Sequence, residues 1–227
     1  LSLNTTGASN TAVGRSALAA NTTGIRNTAV GYETMKANTT GQRNDASGYG
    51  TLRTNTTGHY NTASGMESMY SNTTGTYNAS VGYLSLFNNT TASNNTAFGS
   101  LALYANTTGT GNVAVGKDAL DSNTTGGSNV AVGLDTLQAN TTGQYATAIG
   151  HEALFTAATH TVNADNYLVA VGYRAAYGLT TGVRNVAIGA FSLDAAVTGN
   201  DNVGVGYGSF TNLTSGANNV GVGNHAL

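Results

Sequence analysis

The chain has 227 residues but only 8% charged side chains, with 31 Gly and no Pro, Cys or Trp, which is unlike an ordinary globular domain. Its net charge of −2 gives no reason to expect nucleic acid as a partner, and the absence of Cys excludes disulfide bonds. No apolar segment approaches the roughly 20 residues of a membrane-spanning helix, so we expect no membrane insertion.

From its amino terminus onward the sequence repeats every 17 residues, beginning with the tetrad N-T-T-G at Asn4. A second glycine, which we call the strand glycine, keeps the same period. The strand glycines are Gly14, Gly31, Gly48, Gly65, Gly82, Gly99, Gly116, Gly133, Gly150, Gly172, Gly189, Gly206 and Gly223. We therefore expect 13 repeats in a single array over 1–227, with one five-residue insertion at about 155–167.

Each repeat contains two short extended segments and two turns. The consensus N-T-A-V-G ends at the strand glycine and a second apolar piece, A-L, follows it, while the Thr, Val, Asn and Gly content disfavours helix. The glycine that closes N-T-T-G, the turn glycine, is expected to adopt a positive φ at little cost. One repeat thus predicts one coil of an all-β, parallel β-solenoid (a β-roll) of 13 coils stacked about 4.8 Å apart.

Four columns of the repeat vary little, and we expect them to face the interior. Relative to the strand glycine they are the strand asparagine column four residues before it, an Ala/Gly column two before, a Val/Ile/Phe column directly before, and the leucine column four after. The strand glycines themselves are expected to lie in line along one edge. Representative structural residues are Gly14, Gly31, Gly116, Gly172, Leu18, Leu52, Leu120, Asn27 and Asn112.

Charged and aromatic residues occupy other columns, which we expect to face solvent. Of 18 charged side chains, 16 lie one, two or five residues after the strand glycine or five before it, and all 12 Tyr share these columns. Two sets of tyrosines are candidate surface-contact residues for a sugar or a protein, although such rows also shield strand edges or pack between chains. They are Tyr32, Tyr49 and Tyr83 directly after the strand glycine, and Tyr60 and Tyr77 five before it.

The strand itself indicates self-association. Neither of its faces is charged at the centre, and a strand covered on both faces needs a layer on each side, for which a 17-residue coil has too little chain. We therefore expect a homo-oligomer. Asp45, alone in a Thr/Val column, is expected to have hydroxyl or amide partners, because an unpaired buried carboxylate is costly.

The segments N-V-A-V-G at 112–116 and 129–133, and N-V-A-I-G at 185–189, resemble the head repeats of trimeric autotransporter adhesins. The fuller pattern N-T-T-G…N-T-A…G…A-L is similar to repeat arrays in phage tail fibres and large bacterial surface proteins. The resemblance implies intertwined or packed homotrimers and an extracellular, cell-surface or virion location.

No group of side chains has the spacing of a catalytic, cofactor or metal site, so we expect no enzyme, no cofactor and no metal ion. Every N-T-T is formally an acceptor for N-glycosylation on an exposed turn. We favour the alternative that Asn caps the turn and Thr forms a ladder, because the motif keeps the structural period.

The function that fits these observations is a structural segment of an extracellular fibre for surface attachment, either a phage tail-fibre shaft or a bacterial adhesin or filament. The alternative is an ice- or glycan-binding solenoid that acts through a flat Thr/Tyr face. The expected partners are further copies of the chain, a flanking segment or subunit that covers each end of the array, and a cell-surface glycan or protein. Nucleic acid is not expected.

Overall fold

A computed structural model of the chain describes residues 1–156 and 166–226. Within each of the two units given below, its strands are parallel and follow chain order, and neighbouring strands pair in register with the equivalent residues of the next repeat, as in Thr11 with Thr28 and Ala12 with Ala29. The prediction of an all-β, parallel solenoid with a 17-residue repeat is confirmed. Residues 157–165, which make up most of the predicted insertion, and Leu227 lie outside the described residues.

The chain divides into two compact units, Leu1–Gly111 and Asn112–Leu227. In the first unit the strands are β1 Thr11–Val13, β2 Thr28–Val30, β3 Asp45–Ser47, β4 Thr62–Ser64, β5 Ala79–Val81 and β6 Thr96–Phe98. In the second unit they are β7 Val113–Val115, β8 Val130–Val132, β9 Thr147–Ile149, β10 Val169–Val171, β11 Val186–Ile188, β12 Val203–Val205 and β13 Val220–Val222. Every described strand has three residues, so turns make up most of each coil.

Backbone hydrogen bonds between successive coils continue beyond the strands into the turns. The carbonyl oxygen of Thr56 accepts the N–H groups of Thr39, Thr40 and Gly41 from the preceding coil, at 3.0, 3.2 and 3.3 Å. On the opposite stretch of the coil, the N–H of Leu52 donates to the carbonyl of Ser68 at 3.1 Å. Because buried backbone polar groups must be paired, this coil-to-coil bonding satisfies segments that form neither helix nor strand.

The leucine column and the Ala/Gly column form the interior of each coil. Leu18, Leu52 and Leu120 are all 0% exposed, as the pattern predicts, and Ala29 and Ala114 on the strands are equally buried. Burial of one leucine side chain stabilises the fold by roughly 1.5–3 kcal/mol. A thin but continuous apolar stripe therefore runs through the coils of each unit.

The prediction that the column directly before the strand glycine is interior is wrong. Successive side chains of a strand point to opposite faces, and the small residue at the centre of each strand points inward. Its neighbour before the strand glycine consequently points out, and Val13, Phe98 and Ile149 are 56%, 41% and 41% exposed. Ala/Gly and Val/Ile/Phe repeat with equal regularity, so regularity alone did not distinguish inside from outside.

The two repeated glycines are required for different reasons. Gly65, a strand glycine, has φ +127°, and a Cβ atom there would lie 2.4 Å from the carbonyl oxygen of Gly82. The turn glycine Gly58 does not have a left-handed φ, so the predicted conformational reason is wrong. Its Cβ would lie 2.3 Å from Asn55 Oδ1 and 2.5 Å from the Gly75 carbonyl oxygen, and close approach of the next coil is what demands glycine.

Three further columns adopt the left-handed conformation although most of their residues are not glycine. In the fourth coil they are represented by Tyr60, Glu67 and Met69, with φ of 57°, 55° and 52°. Among the described residues, none of the non-glycine residues with positive φ is Val, Ile or Thr. This conformation is especially unfavourable for β-branched side chains. Backbone geometry thus explains why the leucine column holds Leu and Met rather than Ile and Val.

Candidate functional site

The strand asparagine column forms a buried amide ladder. In the first unit, Asn44 Nδ2 donates to Asn27 Oδ1 at 3.1 Å and to the Gly58 carbonyl at 2.9 Å, while Asn27 Oδ1 also accepts the backbone N–H of Asn44 at 3.0 Å. In the second unit Asn112 is fully buried and its Nδ2 donates to the Gly126 carbonyl at 2.8 Å. These side chains connect one coil to the next.

A second ladder consists of the first asparagines of the N-T-T-G turns. Asn55 Nδ2 donates to Asn38 Oδ1 at 2.8 Å and to the carbonyl of Gly58 within its own turn at 3.1 Å. Asn38 and Asn55 are 0% exposed. The favoured prediction that Asn caps the turn is confirmed, and the formal alternative of glycosylation does not fit amides as buried as these. Asn4, in the first coil, is exposed.

A buried hydroxyl column three residues after the strand glycine was not recognised in the sequence. Thr51 Oγ1 donates to the Gly65 carbonyl at 2.6 Å. Ser80, the one Ser in the Ala/Gly column, lies 2.8 Å from Ser68 Oγ and 2.6 Å from Ser85 Oγ. The sequence did contain a signal for this contact. Ser80 replaces Ala in the strand, and Ser also stands three residues after the strand glycine in the same repeat, at Ser85, and in the preceding repeat, at Ser68.

The two threonines of each N-T-T-G tetrad have different environments. Thr22, the first, donates its hydroxyl to the carbonyl of Thr39 in the next coil at 3.1 Å, which confirms the predicted threonine ladder. Thr23, the second, is exposed. The same exposed position, which we call the outer threonine row, is held by Thr6, Thr23, Thr40, Thr57, Thr74, Thr91, Thr108, Thr125, Thr142, Thr181 and Thr198.

The tyrosines directly after the strand glycine are exposed, and two of them stack. The rings of Tyr32 and Tyr49 lie 5.2 Å apart at an interplanar angle of 7°, and the guanidinium of Arg15 lies 5.7 Å from the centre of the Tyr32 ring. Tyr83 in the same column is 50% exposed. Because Tyr32 and Tyr49 turn ring faces toward each other, what they present to solvent is mainly ring edges and hydroxyl groups.

The tyrosines five residues before the strand glycine are arranged in the same way. Tyr60 and Tyr77 stack with ring centres 4.8 Å apart and an angle of 5°, and Arg43 lies 5.1 Å from the Tyr60 ring centre. A sugar ring stacks on an open aromatic face. The inner faces of these pairs are occupied by the neighbouring aromatic ring, so intramolecular stacking explains much of the regularity of the two columns.

Asp45 does not lie in a buried polar pocket, and the expectation that it needs hydroxyl or amide partners is wrong. It is exposed at the start of β3, where it pairs in register with Thr28 and Thr62. Its column lies on the outward face of the strand, where water solvates the carboxylate. Asp45 is consequently a charge on an otherwise uncharged sheet face.

Among the described residues of the second unit, one cluster has metal-ligand chemistry. One ligand atom from each of Asp135, His151 and Glu152 lies within 4.8 Å of the others. Glu152 already faces two basic side chains, since its carboxylate oxygens lie 3.7 Å from His151 Nε2 and 3.4 Å from Arg174 Nε. His151 is exposed, and the cluster is accounted for as a surface ion-pair group. The coil register brings together acids that are 17 residues apart, Asp135 and Glu152.

A surface ion-pair group in the first unit also spans coils. Glu33 accepts from Lys36 Nζ at 2.7 Å and from Arg53 Nε of the next coil at 2.6 Å, and these hydrogen bonds lower the pKa of the Glu33 carboxyl. In the second unit the hydrogen bonds from Arg184 likewise lower the pKa of Asp201, which lies 17 residues further along. Such exposed pairs contribute little stability each, but they favour the native register.

Residues 1–156 and 166–226 include no helical segment that could span a bilayer. No protein-family model matches the chain, and neither a curated protein nor a solved structure is significantly similar to it.

Proposed function

We propose that this chain is a structural, non-catalytic segment of an extracellular fibre that attaches a cell or a virion to a surface, as a phage tail-fibre shaft or a bacterial adhesin or filament does. The observation that carries the proposal is the pair of buried asparagine ladders. Asn38 and Asn44, one in each ladder, are almost completely buried and bonded to the equivalent residues of neighbouring coils. The interior is thus devoted to coil-to-coil cohesion.

Cohesion of this kind suits a fibre. Hydrogen-bonded networks of fully paired buried amides are rigid, and an array in which each coil contacts its neighbours can be lengthened without redesign. The segregation of charges to a few surface columns leaves the stacking contacts free of repulsion between like charges. A segment of this type holds its shape without disulfide bonds, which the chain cannot form because it has no Cys.

Limited proteolysis combined with electron microscopy tests the proposal. The eight Lys and Arg residues occupy surface columns, so trypsin can reach their side chains, but cleavage requires local unfolding of backbone that is bonded to the next coil. We expect the native chain to resist trypsin, to form elongated particles in micrographs, and to be retained on host cells or on a glycan array. Rapid cleavage at Arg26, or rounded particles without retention, would contradict the proposal.

A second candidate function, binding to ice or to a glycan surface, is favoured by the outer threonine row. Thr40 and Thr57 repeat at the coil spacing, and such a row of hydroxyl and methyl groups can order water or contact a periodic surface. Thermal hysteresis of the purified chain, abolished by Thr23→Lys with Thr57→Lys, would support ice binding. Ser100→Lys is the control. Ser100 lies outside the outer threonine row, and its equivalent in the next repeat is Lys117, so a lysine is accepted at this position. Absence of thermal hysteresis and of glycan retention would exclude this candidate.

A further inference from the structure

The outward side of the strands carries an exposed apolar row, beside a column that is mostly Thr in the first unit and mostly Val in the second. We define the outer sheet face as the side chains directly before the strand glycine together with those three residues before it. In the first unit the exposed apolar members directly before the strand glycine are Val13, Val30, Val81 and Phe98, and in the second unit they are Val115, Ile149, Ile188 and Val222. Their exposed fractions range from 36% for Val115 to 70% for Val222.

Strand propensity alone does not explain this row. Thr is β-branched, favours strands as Val does, and exposes a hydroxyl instead of a methyl group. Yet the column directly before the strand glycine is Val, Ile or Phe in 11 of 13 repeats, with Ser47 and Ser64 as the exceptions. The column directly after the glycine varies freely and includes Arg15, Ser100 and Lys117. An apolar residue repeated at an exposed position indicates that the position is covered by something outside the chain.

The distribution of charge on and around the outer sheet face indicates which kind of surface can cover it. Among the described strands Asp45 is the only charged residue, whereas the columns one and two residues after the strand glycine and five before it carry most of the charges. A charged partner surface would lose its hydration without gaining a counter-charge. An uncharged, apolar strip with the same coil spacing and a polar rim is the matching surface, and the chain itself has one.

The area agrees with a specific contact. With strands about 4.8 Å apart and about 3.3 Å per residue, the strands present roughly 290 Å² of outer face in the first unit and roughly 330 Å² in the second. If the faces of both units are each covered by faces of another copy, the contact buries about 1,200 Å² in total, which is at the lower limit of specific protein interfaces. An apolar core with charged flanks is also the usual anatomy of an interface.

We propose that the outer sheet face is covered by the outer sheet face of another copy of this chain. The proposal rests on the structural function proposed above and adds the surface through which copies associate. The polar break formed by Asp45, Ser47 and Ser64 on β3 and β4 is then the weakest part of the contact. Replacing these residues by Val should extend the apolar strip and strengthen association.

Sedimentation of the full-length chain over a range of concentrations tests the proposal. The variant Val30→Thr, Val81→Thr, Val115→Thr keeps β-branching and side-chain shape but removes apolar surface. We expect the native chain to sediment as an assembly of two or more copies, and the variant to need at least roughly tenfold higher concentration to assemble. Asp45→Val with Ser47→Val should lower that concentration.

The matched control is Met66→Thr with Leu134→Thr, which removes apolar side chains of similar exposure, 48% and 41%, from the flanking column. Circular dichroism of every variant verifies that the coils remain folded. A native chain that stays monomeric, an unchanged assembly of the Val→Thr variant, or equal weakening by the control would each overturn the proposal. A monomer that still forms trypsin-resistant, elongated particles and is retained on its target would overturn only this inference and leave the structural function intact.

Discussion

Asn61 and Asn78 occupy the same position in successive coils, and the side-chain carbonyl of Asn61 accepts both the backbone N–H of Asn78, at 3.1 Å, and its side-chain amide, at 3.2 Å. Asn61 Nδ2 in turn donates to the carbonyl of Gly75 at 2.9 Å. One buried amide thus joins the strand of the next coil to a turn. Repetition of this contact along the first unit, and again from Asn185 to Asn219 in the second, stabilises coils that have only three residues in each strand.

Asn61→Ala should lower the free energy of unfolding by about 2–3 kcal/mol, because it leaves buried donors and acceptors of adjacent coils unpaired. Asn10→Ala, in the same column of the first coil, should cost less, since Asn10 is only half-buried and water replaces part of its bonding. Urea unfolding followed by circular dichroism measures both values. Equal costs for the two variants would show that the ladder is not a buried network.

Gly65→Ala should destabilise the chain by about 3 kcal/mol or more, since the added Cβ meets the Gly82 carbonyl oxygen at 2.4 Å and the φ of +127° is unfavourable for alanine. Gly50→Ala is the matched control. Gly50 has φ +61°, a conformation that other residues of its column adopt, and its Cβ would meet only ordinary contacts from 3.4 Å outward. Its cost should stay within about 1 kcal/mol. Thermal unfolding of both variants measures the two costs. A much larger cost for Gly65→Ala would show that glycine is needed at the strand position because of its φ and the close approach of the next coil.

Leu120→Ile should cost about 2–3 kcal/mol although it conserves side-chain volume, because Leu120 has φ +53° and β-branching is disfavoured there. Leu120→Met should cost less than about 1.5 kcal/mol, as Met35 and Met69 occupy the same column with the same left-handed backbone. Chemical denaturation compares the two variants directly. If isoleucine were tolerated as well as methionine, backbone conformation would not be what selects residues in the leucine column.

Acid should remove the contribution of the Glu33 ion pairs to the stability of the folded chain. Hydrogen bonds from Lys36 and Arg53 lower the folded-state pKa of Glu33 below the unfolded value of about 4.3. The stabilisation is therefore present above the unfolded pKa and is lost as the pH falls through the lowered folded pKa. The melting temperature of Glu33→Gln should be lower than that of the native chain at pH 7 and equal to it in strong acid.

Glu67→Gln, in the same column, is the control for this pH dependence. Among the described residues Glu67 forms no ion pair, so its replacement should leave the melting temperature nearly unchanged at both pH values. A deficit of Glu33→Gln that persists in strong acid would show that its carboxylate charge is not the source of the effect.

Much of the fold could be predicted from the period alone. The 17-residue spacing indicates stacked coils. Leu18 and its equivalents, together with the regular Asn27 column, indicate an interior of leucine side chains and amide ladders. The structure has the stacked coils and this interior. Repetition works as a signal because a side chain that contacts its own equivalent in the next coil must be compatible with itself.

What the period could not reveal is why a position is constrained. Val13 repeats on an outward face, Gly58 repeats because the next coil approaches closely, and Leu120 repeats because its backbone is left-handed as well as because it is buried. All three causes produce the same pattern in the sequence, a column with little variation. The absence of Val, Ile and Thr from the left-handed columns was visible in the sequence, and it was the one signal that could have separated backbone geometry from burial.

The measurement that tests the stacked-coil account most directly is a distance between spin labels within the first unit. The chain has no Cys, so Thr23→Cys with Thr108→Cys, both in the outer threonine row, allows specific labelling. These positions are five coils apart, and stacking at about 4.8 Å per coil predicts a narrow distribution near about 24 Å, broadened only by the label arms. A broad distribution centred far beyond that distance would contradict the parallel, in-register coil stacking on which the fold and the proposed function depend.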